Sequence, residues 1–322
     1  MTSDGPWDRE AMRREVTEGL ARTPKELSPK YFYDERGSEL FEDITRLPEY
    51  YPTDKEWEIL NESVPEWLAG MRPATLVELG AGSARKTRTL LDVMDRLESG
   101  RAFVPVDVSD SFVRDTARVV SREYPALDVT SEVADISGAF ELRSARPRPV
   151  LYALLGGTLG NFGPPDDVAL MERVAAFMAS EDAFLVGVDL RPGGGKSRET
   201  VEAAYNDGDG VTAAFNRNVL RVINRELGAD FDPEGFAHQA RYEPEDGRVE
   251  MWLVALRDQR VTVPGAPGPV DLQEGEGIRT ELSCKFTREL LEERFLLAGL
   301  ELVRWATDRD GYFAMALGSL RR

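Results

Sequence analysis

Between residues 73 and 190 the chain alternates short apolar runs with amphipathic stretches, and no other feature restricts its possible folds as strongly. Residues 75–79, 102–108, 127–133, 150–155 and 183–188 read as strands, and 87–97, 111–124 and 168–178 read as helices. Strands joined by helical crossovers run parallel, in a sheet covered on both faces. A doubly wound sheet of this kind presents ligands to the carboxyl ends of its strands.

The texture changes after Asp189. The breaker cluster Pro192-Gly193-Gly194-Gly195-Lys196 marks a boundary and reads as a hinge, since it lacks the spacing of a phosphate loop. Residues 197–228 read as helical and 240–285 as β-rich, with strands at 248–256, 259–263 and 278–286 and a Gly-Pro turn at 264–269. A helix at 287–299 and strands at 300–307 and 312–317 close the chain. The expected class is α/β: a doubly wound, mostly parallel sheet with a second, smaller α+β domain inserted. Residues 9–22 have helical spacing. Residues 31–54 gather Tyr31, Phe32, Tyr33, Phe41, Tyr50 and Tyr51 around Pro48 and Pro52; such a cluster reads as core, or as a loop-like stretch whose Tyr hydroxyls suit a small polar ligand.

A length of 322 residues suits two domains at about 150 residues each. Forty Lys and Arg against 58 Asp and Glu leave a net charge of −18, which argues against nucleic acid as a partner. The single cysteine, Cys284, excludes an internal disulfide and a Cys-rich zinc site, and is expected to pack as a small hydrophobe. The single histidine, His238, excludes multi-His metal centres and is expected at a surface or interface. No run approaches the roughly 18 apolar residues of a membrane-spanning helix, and Met1-Thr2-Ser3-Asp4-Gly5 has no signal-peptide core. The expectation is a cytoplasmic monomer that binds small molecules, with no metal and no membrane.

The turn after the first strand of the sheet, Gly80-Ala81-Gly82, allows three readings. A dinucleotide fingerprint needs a third glycine where Arg85 stands, and a phosphate loop needs glycine before Lys86-Thr87. A turn for S-adenosylmethionine (SAM) needs neither. It calls instead for an acid after the second strand to hold the ribose hydroxyls and a polar group after the third for the adenine amine. Asp107 and Asp135 stand at those places; the bland alternative is that they cap the following helices.

Lys30-Tyr31-Phe32-Tyr33-Asp34, Gly37-Ser38-Glu39-Leu40-Phe41, Leu47-Pro48-Glu49-Tyr50-Tyr51-Pro52-Thr53, the run from Leu154 to Phe162, the run from Gly210 to Leu220, and Glu281-Leu282-Ser283-Cys284-Lys285-Phe286 occur in order along the chain. Together they resemble the SAM-dependent histidine Nα-methyltransferases of ergothioneine biosynthesis, from about residue 12 to the C-terminus. The resemblance implies a Rossmann-like methyltransferase domain at 8–25, 55–195 and 286–322, and a substrate-recognition domain at 26–54 and 196–285. It implies SAM contacts at Gly80, Lys86, Asp107, Asp135 and Ile136, the last standing where the family usually has an aromatic. It implies catalytic positions at Tyr33, Tyr50 and Asn161. Tyr50, Asn161 and Tyr205 would hold the amino acid's carboxylate and amine, Glu281 and Ser283 its imidazole, and Met251, Phe41, Gly156 and Thr158 would line the pocket. The implied activity is transfer of three methyl groups from SAM, released as S-adenosylhomocysteine, to the α-amine of L-histidine to give hercynine. An N-methyltransferase for tryptophan or tyrosine, a NAD-linked oxidoreductase and a silent SAM sensor stand as alternatives.

Overall fold

A computed structural model describes residues 7–143 and 146–321. The polar stretch Met1–Gly5, expected to lack a signal-peptide core, lies outside the described residues. The chain divides into two compact units: one comprises the chain up to Tyr50 with Ser197–Ser283, the other Tyr51–Lys196 with the chain from Cys284.

The second unit is built on an eight-stranded sheet. Its order is Leu300–Thr307, Phe313–Leu320, Ala183–Asp189, Val150–Leu154, Thr75–Leu79, Ala102–Asp107 and Asp128–Val129, with Glu132–Val133 also pairing to Ala102–Asp107. The strands from Ala183–Asp189 to the Asp128 edge pair in parallel; Phe313–Leu320 is antiparallel to both its neighbours. This is the α/β, mostly parallel architecture expected. Thr75–Leu79, Val150–Leu154 and Ala183–Asp189 are buried at every position, as two covered faces require. The strand expected at 127–133 is two short pieces, because it lies at the sheet edge and its Asp128, Thr130 and Val133 are exposed, so little burial rewards a regular strand.

The first unit is α+β. A four-stranded sheet runs Lys25–Glu26, Gly277–Cys284, Arg248–Ala255 and Phe236–Glu243. Against it packs the helix Val211–Leu227, ten of whose residues are buried. The single helical stretch expected at 197–228 is two helices, Arg198–Ala203 and Val211–Leu227. The break is Asn206-Asp207-Gly208-Asp209-Gly210: Gly210 sits at φ +75°, and the Asp207 carboxylate accepts the Val211 and Thr212 amides, both at 2.7 Å. The strand Phe236–Glu243 escaped the sequence reading, since its buried residues do not alternate cleanly.

Residues 31–54 are mostly helical rather than loop-like. Pro29–Phe32 forms a 3₁₀ turn, Glu35–Ile44 is a helix capped by Asp34 on the Gly37 amide at 2.8 Å, and Pro52–Glu62 begins with proline at a first-turn position where no amide bond is lost. The N-terminal helix Arg9–Leu20, expected in the methyltransferase domain, belongs to the smaller unit. It buries Met12, Val16 and Leu20, and its Glu15 accepts the Tyr31 hydroxyl at 2.7 Å and the Lys30 ammonium at 2.9 Å. Tyr51–Asp54 and Cys284–Lys285, expected in the smaller domain, fall in the sheet unit.

Candidate active site

In the sheet unit several of the candidate side chains gather at the carboxyl ends of neighbouring parallel strands. Gly80 and Gly82 adopt φ +69° and +52°, a region costly for side-chain-bearing residues. The Gly80 and Ala81 amides both bond the Val106 carbonyl, at 2.9 and 3.1 Å, which folds the turn tightly beside Asp107. The Asp107 carboxylate accepts the Gly82 amide at 3.1 Å and the Ser109 amide at 3.2 Å. Burial raises its pKa, against the lowering effect of those amides. Two residues before Gly80, Glu78 is buried and accepts the Thr87 hydroxyl. Burial pushes it up to about 8, so the side chain tends to stay neutral at pH 7. Asp135 accepts the Ser137 amide at 2.9 Å, and the Ile136 side chain reaches to 4.0 Å from where a Gly80 Cβ would stand.

On the other side of the Gly80 turn, Lys86 is ion-paired with Glu56, whose carboxylate also accepts the Gly156 amide at 2.8 and 3.0 Å. Gly156 has φ +76°, and a Cβ there would stand 3.3 Å from the Lys86 ammonium. The Thr158 hydroxyl donates to the Leu155 carbonyl at 2.6 Å and closes the turn that carries Thr158–Asn161. Gly160 allows close backbone approach: a Cβ would lie 2.7 Å from the Cys284 carbonyl oxygen.

In the smaller unit a set of aromatic rings is connected. Tyr33 and Phe41 meet edge-on at 5.7 Å, Phe41 and Tyr50 at 6.3 Å, and Tyr50 and Tyr205 at 6.4 Å. Phe215 of the central helix backs Tyr33 at 5.7 Å and Phe41 at 6.0 Å. The Tyr205 hydroxyl hydrogen-bonds the Ser283 hydroxyl at 2.8 Å. Glu281, half-buried, stands two residues before Ser283 on the extended strand Gly277–Cys284, so the two side chains share a face. Met251 is buried on the strand Arg248–Ala255, and its carbonyl accepts the Thr280 hydroxyl at 3.2 Å.

A model of the family described as histidine-specific, SAM-dependent methyltransferases matches residues 12–320. The chain belongs to this family. It is 44% identical, over 96% of its own length and 95% of the relative's, to Histidine N-alpha-methyltransferase of Mycobacterium tuberculosis (strain CDC 1551 / Oshkosh). It is 42% identical, over 96% and 94%, to Histidine N-alpha-methyltransferase of Mycolicibacterium smegmatis (strain ATCC 700084 / mc(2)155). At 30% identity it matches Ergothioneine biosynthesis protein 1 of Neurospora crassa (strain ATCC 24698 / 74-OR23-1A / CBS 708.71 / DSM 1257 / FGSC 987) over 90% of this chain but only 32% of that protein.

The cofactor of this histidine-specific methyltransferase family member is SAM. The Gly80 turn suits it: a Cβ at Gly82 would meet nothing within 4 Å, and Ile136 alone comes as near as 4.0 Å to one at Gly80, which leaves room for a ligand beside bare backbone. Within the sheet unit the structure brings Gly80, Lys86, Asp107, Ile136 and Gly156 around one turn. Within the smaller unit it links Tyr33, Phe41, Tyr50, Tyr205 and Ser283 in a chain of contacts.

Two residues escaped the sequence reading. Glu56 is fully buried, yet a signal was available: it shares a helical stripe with Pro52, Ile59 and Leu60, and a charge on such a stripe asks for a partner. Asp189 ends a strand of buried residues and accepts the ammonium groups of Lys285, at 2.7 Å, and Lys196, together with the Tyr51 hydroxyl at 2.9 Å. Lys196, read as part of a hinge, is thereby a buried anchor. His238 is half-buried. Its ring is held on both sides, by the Asn216 amide at 2.8 Å and the Tyr205 carbonyl at 2.7 Å. Cys284 packs against the core of the sheet unit.

Proposed function

We propose that this chain transfers three methyl groups from SAM to the α-amine of L-histidine and so makes hercynine in the first step of ergothioneine biosynthesis. The observation that carries this reading is the family match over residues 12–320, which spans the donor turn and the aromatic set alike.

The sheet unit is the methyltransferase domain and the smaller unit recognises substrate. Gly80 and Gly82 let the donor approach bare backbone, Asp107 takes the ribose hydroxyls, Asp135 the adenine amine, and Ile136 gives the adenine an apolar contact in place of a ring. The donor supplies, when bound, a sulfonium-activated methyl group that needs no metal. Catalysis then rests on placement, and alignment of reacting groups is worth up to roughly 7–11 kcal/mol. Tyr33, Tyr50 and Asn161 orient the neutral amine, and Tyr50, Asn161 and Tyr205 hold the carboxylate and amine. None of them forms a fixed charge pair with the nitrogen, which leaves room for a growing methylated head. Glu281 and Ser283 grip the two imidazole nitrogens, with Met251, Phe41, Gly156 and Thr158 lining the pocket.

The decisive measurement is the product mass from histidine and SAM, expected to rise by three methyl groups; no methylated histidine, or a faster reaction with tryptophan or tyrosine, overturns the reading. A site built to bond polar groups rejects ligands that leave them unpaired by as much as roughly 10⁴–10⁵-fold. Glu281→Ala is therefore expected to cut histidine turnover sharply and narrow the gap to larger aromatic amino acids. Unchanged histidine kinetics in that variant removes Glu281 from the imidazole site.

A further inference from the structure

We propose that Glu56 is a positioning residue for the methionyl end of the donor, acting through Lys86 and the Gly156 amide. The inference rests on the donor site assigned above and extends it to a residue that touches no ligand.

Sheet order supplies the direction. Thr75–Leu79, which carries the Gly80 turn, is flanked on one side by Ala102–Asp107 and on the other by Val150–Leu154, all parallel. Their carboxyl ends therefore share one edge. Asp107 ends the first flanking strand, and Asp135 follows the short strand Glu132–Val133 that pairs outside it. An adenosine held by Asp107 and Asp135 occupies that flank. The rest of the donor must cross the Gly80 turn toward the other flank, where Lys86 and Gly156 stand.

At that flank Glu56 joins separate stretches of chain. It comes from the helix Pro52–Glu62, pairs with Lys86 at the start of the helix Thr87–Arg96, and accepts the amide of Gly156 after the strand Val150–Leu154. Its carboxylate fills the space left by Gly187, where any Cβ would collide with it. Glu56 is 0% exposed. A buried carboxylate is costly unless paired and hydrogen-bonded, so its cation and amide are held to it. The consequence is twofold. Lys86 has one fixed ammonium position rather than the many rotamers of a free lysine. Its charge is also offset, which matters where a cationic sulfonium must come close.

The test compares two neutral-sulfur ligands that share the adenosine. S-adenosylhomocysteine has the amino-acid end, and 5′-methylthioadenosine lacks it. Glu56→Gln keeps the shape and removes the charge. By calorimetric titration, this variant is expected to weaken S-adenosylhomocysteine by about tenfold or more while 5′-methylthioadenosine stays within about twofold, because the fixed placement of Lys86 is lost at one end only. Lys86→Met is expected to give the same pattern, and Glu56→Gln added to Lys86→Met to change little further. Unchanged S-adenosylhomocysteine binding in Glu56→Gln overturns the inference, and so does equal weakening of both ligands, which a merely structural role predicts. Wild-type protein that binds neither ligand overturns the donor site itself.

Discussion

The hydroxyls of Tyr205 and Ser283 lie 2.8 Å apart with both side chains buried, although 78 residues separate them in sequence. One comes from the turn after a short helix and the other from a sheet strand, so the bond ties together two groups that the proposed function assigns to opposite ends of the substrate: its carboxylate and amine, and its ring. Ser283→Ala leaves the Tyr205 hydroxyl without this partner, at a cost of about 1–3 kcal/mol for a buried group. The expected result is a KM for histidine raised by roughly tenfold or more, with S-adenosylhomocysteine affinity unchanged. Steady-state kinetics and calorimetry check it, and equal losses in both would assign Ser283 to the fold alone.

The rings of Tyr33, Phe41 and Tyr50 form a wall suited to a head group that gains charge and methyls together. Cation–π attraction contributes about 0.5–2 kcal/mol where the cation is desolvated. Phe41→Leu and Tyr33→Leu are expected to release more mono- and dimethylhistidine per trimethylated product. Mass spectrometry of the products at early times reads this out, and an unaltered distribution removes the rings from retention of intermediates.

His238 links acidity to stability. Burial lowers its pKa from 6.5, against the raising effect of the Tyr205 carbonyl, with Arg217 lowering and Asp207 raising it further. The neutral ring donates one N–H to that carbonyl and accepts the Asn216 amide, so a second proton would break the Asn216 bond. The unfolded chain then binds more protons than the folded one between the depressed pKa and 6.5. Stability is present above pH 6.5 and is lost as pH falls through the folded pKa. Part of the drop in Tm between pH 7.5 and 5.5 should vanish in His238→Gln; an identical drop in both proteins would contradict this.

Asp189 carries two buried cations on one carboxylate. Burial alone would raise its pKa, but Lys285 and Lys196 outweigh that and hold it below the usual carboxylate range, while burial pushes Lys196 down to about 8. Asp189→Asn leaves two ammonium groups facing a neutral amide. Breaking a buried pair this way costs about 3–5 kcal/mol. Urea unfolding is expected to show a loss of that size, and a loss under about 1 kcal/mol would mean that the lysines find other partners.

The glycine turn at Gly80 was legible in the sequence because its logic is local. An apolar strand can end in Gly-x-Gly only if the backbone turns there, and Asp107 follows the next strand at a spacing that needs no knowledge of distant contacts. The aromatic stretch at 31–54 was legible as a group but not as a shape, since Pro48 and Pro52 read as breakers although Pro52 opens a helix. Helix Arg9–Leu20 showed a face to bury but not which unit would bury it, because amphipathicity names no partner.

By itself, then, the amino-acid sequence determined the alternating sheet, the glycine turn and the chemical types around it, for these follow from periodicity and from backbone freedom at single residues. Tertiary structure decided what each buried charge is for. Glu56 lies 30 residues from Lys86 and 100 from Gly156, and Asp189 lies 138 from Tyr51. A carboxylate's role is set by what shares its low-dielectric space, and only the folded chain brings those groups within reach.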